Sequence, residues 1–188
     1  MHKTLHLLFA SFLPMVALAA PETYNIDPNH TYANFTIAHS GGYSYLHGAF
    51  TKLSGTVTLD RAARTGALNV SIDAASVTTN HAKRDEHVRS ADYLNVEKFP
   101  SFTYRSTSMK FNGDLPAAVD GELTMFGVTR PVTLTIDNIK CGQVNKRDMC
   151  GANASGQLKR SDFGFNYAIP GTGDDIKLMI QIEARKDG

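Results

Sequence analysis

The sequence predicts an all-β protein whose antiparallel strands close into a barrel, with one short helix inserted around residues 81–90. Three observations carry this. Apolar and polar residues alternate with period two in one segment after another, the mark of strands with one buried and one solvated face. Strands and helices do not take turns along the chain, which excludes doubly wound parallel folds. The last segment, Ile176 to Ala184, is long and strictly alternating, and such an edge invites aggregation unless it closes against a partner strand.

The chain of 188 residues begins Met1-His2-Lys3, runs apolar from Leu5 to Leu13 and reaches Ala17-Leu18-Ala19 before polar sequence starts at Glu22. A basic start, a short apolar stretch and an A-x-A site read as a cleaved secretory signal peptide over residues 1–19, with residues 20–188 as one exported domain. The apolar run falls short of the roughly 20 residues that span a membrane. Cleavage removes Lys3 from 19 basic residues and leaves all 18 acidic ones, so the exported chain carries 18 of each. That balance gives no electrostatic case for nucleic acid. Cys141 and Cys150 are the two cysteines, and in an oxidising compartment a disulfide between them is expected, pinching the loop that they flank.

Taken in order, Tyr24 to Asp27 leads through Pro28-Asn29 to an alternating strand over Ala33 to Ile37, which Gly41-Gly42 ends. Phe50 to Asp60 carries Leu53, Val57 and Leu59, and a turn-prone stretch follows from Arg61 to Gly66. Leu68, Val70 and Ile72 then alternate with Asn69, Ser71 and Asp73. The charge-dense stretch Thr78 to Thr107 breaks this pattern. Asn80 is a candidate N-cap, and His81 to Ser90 has no Gly or Pro, so two to three turns of helix are expected. Phe99-Pro100 closes the stretch because a residue before proline is pushed out of helical geometry, and a strand should begin at Ser101 or Phe102. Alternation recurs at Phe102 and Tyr104, at Leu123 and Met125, at Val132, Leu134 and Ile136, and at Ile176, Leu178, Ile180 and Ile182. Gly151 to Leu158 and Phe163 to Tyr167 are further extended candidates, with turns at Asn112-Gly113 and Gly171-Thr172-Gly173.

Catalytic signatures are missing: there is no G-x-S-x-G elbow, P-loop, dinucleotide fingerprint or H-E-x-x-H motif. His81 and Asp85 share a helix face four residues apart, with His87 close by. This cluster supports two readings: a metal-dependent or hydrolytic site short of a third ligand, or a solvated helix whose Asp85 pairs locally with a basic neighbour. His30, His39 and His47 carry no information in their spacing. A solid barrel whose exposed helix binds a partner is a third reading, which the charges of Lys83, Arg84, Asp85 and Glu86 disfavour.

The apolar strand faces either fill a core or line a lumen. A lumen about 30 Å long, at about 3.3 Å per residue, suits a long thin apolar molecule, and each buried methylene contributes about 0.8 kcal/mol. Its candidate lining is Phe35 and Ile37; Phe50; Val70 and Ile72; Phe102 and Tyr104; Leu123 and Met125; Val132, Leu134 and Ile136; Phe165 and Tyr167; and Leu178 and Ile180. Tyr43, Tyr45 and His47 are candidates for hydrogen bonds to a headgroup at the mouth.

Several motifs together resemble the YceI-like family: Thr79 to His87, Arg89 to Leu94, Phe99-Pro100 and Ser106-Thr107; Asp27 with His30; Phe35 to His39; Gly48-Ala49-Phe50; Gly121 to Thr129; and Arg160 to Gly164. The resemblance covers Tyr24 to Ala184. It implies an extended, lipocalin-like, eight-stranded antiparallel barrel in the periplasm, holding an isoprenoid or other amphiphilic lipid without catalysis and requiring no cofactor. Isoprenoid quinones such as ubiquinone, polyprenyl phosphates and other long-chain lipids are the ligands it implies. A cytochrome b561-type membrane protein is an implied partner, and a homodimer is a further expectation. The stretch with Cys141 and Cys150 resembles the quinone-binding subset.

Overall fold

Period-two alternation becomes eleven strands and one α-helix in the computed structural model, which describes residues 20–186. The signal-peptide reading of residues 1–19 lies outside the described residues. The strands are β1 (Glu22–Ile26), β2 (Tyr32–His39), β3 (Ser44–Phe50), β4 (Leu53–Asp60), β5 (Thr65–Asp73), β6 (Val77–Thr78), β7 (Ser101–Asn112), β8 (Leu115–Met125), β9 (Val128–Val144), β10 (Arg147–Lys159) and β11 (Asp175–Arg185), with α1 (Ala82–Arg89) between β6 and β7.

Eleven strands occupy eight positions around a closed antiparallel barrel. β11 pairs with β2 through Ile176–Gln181 and with β1 through Ala184 and Arg185, so β1 and β2 form one interrupted strand. β3 and β4 run back alongside them, and β5 and β6 form the third interrupted position. The sequence marks two of the three breaks. Asp27 folds a turn at Pro28, its Oδ1 accepting from Asn29 N–H at 3.0 Å. The Asp73 side chain likewise caps the 3-10 turn Ala74–Ser76 between β5 and β6. From β7 onward each position is one long strand, and β1 against β11 closes the ring.

One end of the barrel carries the turns at residues 61–64, 113–114 and 145–146, and it is closed. Tyr24, Ile26, Leu59, Val119, Cys150 and Ala184 pack there. Glu22 pairs outside them with Lys186 and Arg61. Cys141 and Cys150 are bonded directly across the β9–β10 ladder. The loop expected between them is almost entirely strand, with Asn145 and Lys146 alone at the turn, so the bond staples a ladder instead of pinching a loop.

The opposite end holds α1. Its N-cap is His81, whose Nδ1 accepts from Arg84 N–H at 3.2 Å, one residue later than Asn80, which turns left-handed at φ +61°. Val88 packs into an apolar cluster around Ala74, Val77, Leu94 and Phe102. The helix is otherwise polar, so hydrogen bonds hold it where an amphipathic face would normally do so. Asp85, buried, accepts from Thr79 N–H and from the hydroxyls of Thr78 and Thr79. Arg84 and Arg89 donate to Thr79 O at 2.7 Å and to Val77 O at 3.1 Å.

Phe163 to Tyr167, expected as a strand, is a 3-10 turn over Arg160–Phe163 followed by irregular chain. Gly164 caps the turn in left-handed geometry at φ +77°, which glycine adopts at no steric cost. The alternation of Phe163, Phe165 and Tyr167 comes from a loop folding around Arg160.

Candidate functional site

The inner faces of β2, β3, β5, β7, β8, β9, β10 and β11 enclose a cavity of about 370 Å³ on the α1 side of the closed end. Its β11 wall runs from Ile176 to Ile182, about 20 Å at 3.3 Å per residue. The lower barrel and Tyr104 occupy part of the length expected from strand length alone. Tyr104 crosses the lumen above Gly121, where a Cβ would lie 2.5 Å from its ring. Its Oη sits 3.1 Å from Val119 O and 2.9 Å from Val132 O, and burial pushes the phenol up to about 12. Tyr104 is therefore a neutral, satisfied part of the wall.

Phe35 lies over Gly48 in the same way, for a Cβ there would come within 2.4 Å of the ring. From Phe35 an edge-to-face or tilted series continues through Phe50, Phe102, Phe126 and Phe165, with ring centroids 5.9, 5.9, 5.2 and 5.5 Å apart. Such pairs contribute about 0.5–1.5 kcal/mol each beyond burial. They make a stiff aromatic wall beneath α1.

Polar groups reach the cavity mainly around its mouth, contributed by His39, Thr79, Arg84, His87, Tyr93, Arg160 and Thr172. The lining contains neither Asp nor Glu. Arg160 is 1% exposed. Its Nε donates to Gly173 O at 2.7 Å, Nη1 to Tyr167 O at 2.7 Å and Nη2 to Thr172 O at 2.9 Å. The guanidinium lies 4.7 Å from the Phe165 ring centre. Burial pulls its pKa down from the ordinary value, against the opposing pull of Tyr93 and Asp174. One side chain thus organises the whole 160–174 loop through carbonyls.

Fifteen of the sixteen expected lining residues face this cavity: Phe35, Ile37, Phe50, Val70, Ile72, Phe102, Tyr104, Leu123, Met125, Val132, Leu134, Ile136, Phe165, Leu178 and Ile180. Tyr43, Tyr45 and Tyr167 do not line it. Tyr45 pairs with Ala38 in the β2–β3 ladder, and with Leu46 facing inward its side chain projects outward. Tyr43 sits beyond the strand start, and Tyr167 lies in the loop after Arg160. His47 also faces out, 3.0 Å from Thr36 Oγ1. The polar mouth residues His39, Arg84, Arg160 and Thr172 escaped sequence reasoning because loops and a helix bring them together.

The His81, Asp85 and His87 cluster does not converge. His81 caps the helix, Asp85 is saturated by threonines and His87 Nε2 lies 3.1 Å from Asp92 Oδ2. Among the described residues the metal-compatible grouping is Asp27, His30 and Glu183. There Asp27 Oδ2 is already engaged by His30 and Arg185, each at 2.9 Å.

A closed barrel with an apolar lumen and one polar mouth defines the class of β-barrels that enclose a slender ligand. The particular kinship follows from comparison. The YceI-like domain matches residues 24–184, and the chain belongs to the YceI-like family. It is 40% identical over 185 residues to Protein YceI of Escherichia coli O157:H7, covering 95% of each chain, and 40% identical over 181 residues to Protein YceI of Salmonella agona, covering 93% of each. The Campylobacter jejuni YCEI protein superposes with a TM-score of 0.65 at 28% identity, over 77% of this chain and 87% of that one. Burkholderia cenocepacia BcnA gives a TM-score of 0.71 at 20% identity, over 85% and 99%. A polyisoprenoid binding domain from Saccharophagus degradans gives 0.64 at 17% identity, over 87% and 98%. The last two share the fold. The YceI relatives and the disulfide are compatible with an exported protein.

Proposed function

We propose that the protein is a periplasmic carrier that holds an isoprenoid lipid in its lumen and performs no chemistry on it, the foremost candidate being an isoprenoid quinone such as ubiquinone. The observation that carries this reading is the 370 Å³ apolar cavity with polar groups gathered at one mouth. Family membership supports binding over catalysis, and the Saccharophagus degradans domain of the same fold is described as binding polyisoprenoid. Cleavage of residues 1–19 delivers the protein to the periplasm in this reading.

Binding works by exclusion of water. Each methylene buried along Ile176, Leu178 and Ile180 contributes about 0.8 kcal/mol, so no charged anchor is required for affinity. The headgroup rests among Arg84, His87, Tyr93 and Arg160, which replace Tyr43, Tyr45 and His47 in this role. A polyprenyl phosphate is the second reading, favoured by the two arginines and the lack of any lining carboxylate. A cytochrome b561-type membrane protein as exchange partner, and a homodimer enclosing a longer tail, belong to the same proposal and rest on the family resemblance.

Organic extraction of freshly purified protein, followed by mass spectrometry, tests the reading. A stoichiometric lipid with a prenyl chain is expected, and its mass separates quinone from phosphate. Protein that arrives empty and takes up no long-chain isoprenoid from detergent overturns it.

A further inference from the structure

The large apolar side chains left exposed are unevenly placed. Val144 sits at the closed end and Met179 on the outer face of β11, but Tyr43, Tyr45, Tyr167 and Ile169, respectively 95, 62, 46 and 36% exposed, all lie at the mouth end. They belong to two stretches that touch: Gly41 N–H donates to Gly171 O at 2.9 Å and Gly173 N–H to Ala38 O at 2.8 Å. The Tyr167 ring packs 4.9 Å from Tyr93 and 6.4 Å from His87, both of which line the cavity. The exposed rim is therefore continuous with the entrance.

We infer that this rim is a docking surface for a phospholipid bilayer, set so that the mouth opens onto the lipid and cargo passes without crossing water. The inference rests on the lipid-carrier reading. Each methylene exposed in transit costs about 0.8 kcal/mol, which makes direct contact between mouth and bilayer the low-barrier route. Three of the four rim residues are tyrosines, whose amphipathic rings settle at the headgroup level of a bilayer. The neighbouring charges nearly cancel: exposed Lys83 and Arg84 on α1 stand beside Glu86 and Asp92. A zwitterionic surface therefore suffices, and docking should respond weakly to salt.

The chain contains no tryptophan, so a single introduced one is an unambiguous reporter. With phosphatidylcholine vesicles, Tyr43→Trp emission should shift to the blue while Val144→Trp emission stays constant. The double variant Tyr43→Ser/Tyr45→Ser should slow transfer of a fluorescent long-chain polyprenol from vesicles by about tenfold, equivalent to about 1.4 kcal/mol. Its content after loading from detergent should match the wild type. An unshifted Tyr43→Trp, or equal shifts in both reporters, overturns the docking surface and leaves the carrier reading intact. Failure of the wild type to load from detergent instead sinks the carrier reading, on which docking depends. A double variant that turns a dimer into a monomer assigns the rim to contacts between copies and also overturns the proposal.

Discussion

At the closed end, Tyr24, Leu59 and Ala184 are each at most 2% exposed and belong to one buried apolar cluster. Toward α1, Val70 on β5 and Leu178 and Ile180 on β11 also face inward, and these border a cavity. The pleat is identical in both regions. Volume and covering make the difference: at the closed end Tyr24 and Leu59 fill the space, while the small Ala154 on β10 borders the open upper lumen. The lower region supplies stability, and the upper one gives up packing for space.

Substitutions can break this contrast. Leu59→Ala should cost about 2–5 kcal/mol, since a packed core relaxes poorly around a deletion, whereas Ile180→Ala beside an existing cavity should cost about 1 kcal/mol by loss of one packed side. Denaturant unfolding of both variants measures the difference, and equal losses would mean that the upper lumen is as well packed as the lower.

Replacing Cys141 and Cys150 by alanine should cost about 3 kcal/mol, the chain-entropy value for a loop of about ten residues. Because the bond lies at the closed end, lipid content by extraction should be unchanged. A loss of lipid would show that the two ends are coupled.

Asp85→Asn tests how the covering is held. Burial by itself raises the Asp85 carboxyl, but hydrogen bonds from Thr79 and Thr78, with Arg89 nearby, outweigh it and hold the group below its ordinary 3.8. A depressed carboxylate stabilises the fold fully above the unfolded value and loses that contribution as pH falls through the folded one. Asp85→Asn should therefore cost about 1.5–3 kcal/mol near neutrality, the range for hydrogen bonds to charged groups, and the variant's stability should fall less steeply in acid. Thermal melts from pH 2 to pH 7 give both quantities. The smallest effect on stability, about 1 kcal/mol or less, is expected for Ala154→Phe, which directs a ring into free space; lipid recovered by extraction should nevertheless drop to background.

Much of the barrel was legible because alternation is local. Leu68, Val70 and Ile72, or Ile176 through Ile182, declare an inward face without reference to their neighbours. β3 did not, because Gly48 holds an inward position whose space is filled by Phe35 from β2, so no alternating apolar set marks the strand and the inward Leu46 went unread. Phe163 to Tyr167 alternates yet follows the three carbonyls gathered by Arg160, an arrangement that no residue spacing records. The helix was found to within a residue, but its anchoring through Asp85 rests on Thr78 and Thr79 outside it. Walls could thus be read from periodicity, while the mouth, assembled from separate loops, required the fold.

The affinity of the purified protein for a series of isoprenoids with one headgroup and increasing tail length tests the central claim most directly. If the upper lumen exists to take the tail, affinity rises by about fourfold for each methylene buried and levels off once the tail outruns the roughly 20 Å of wall along β11. An affinity indifferent to tail length would contradict the account and move recognition from the lumen to its rim.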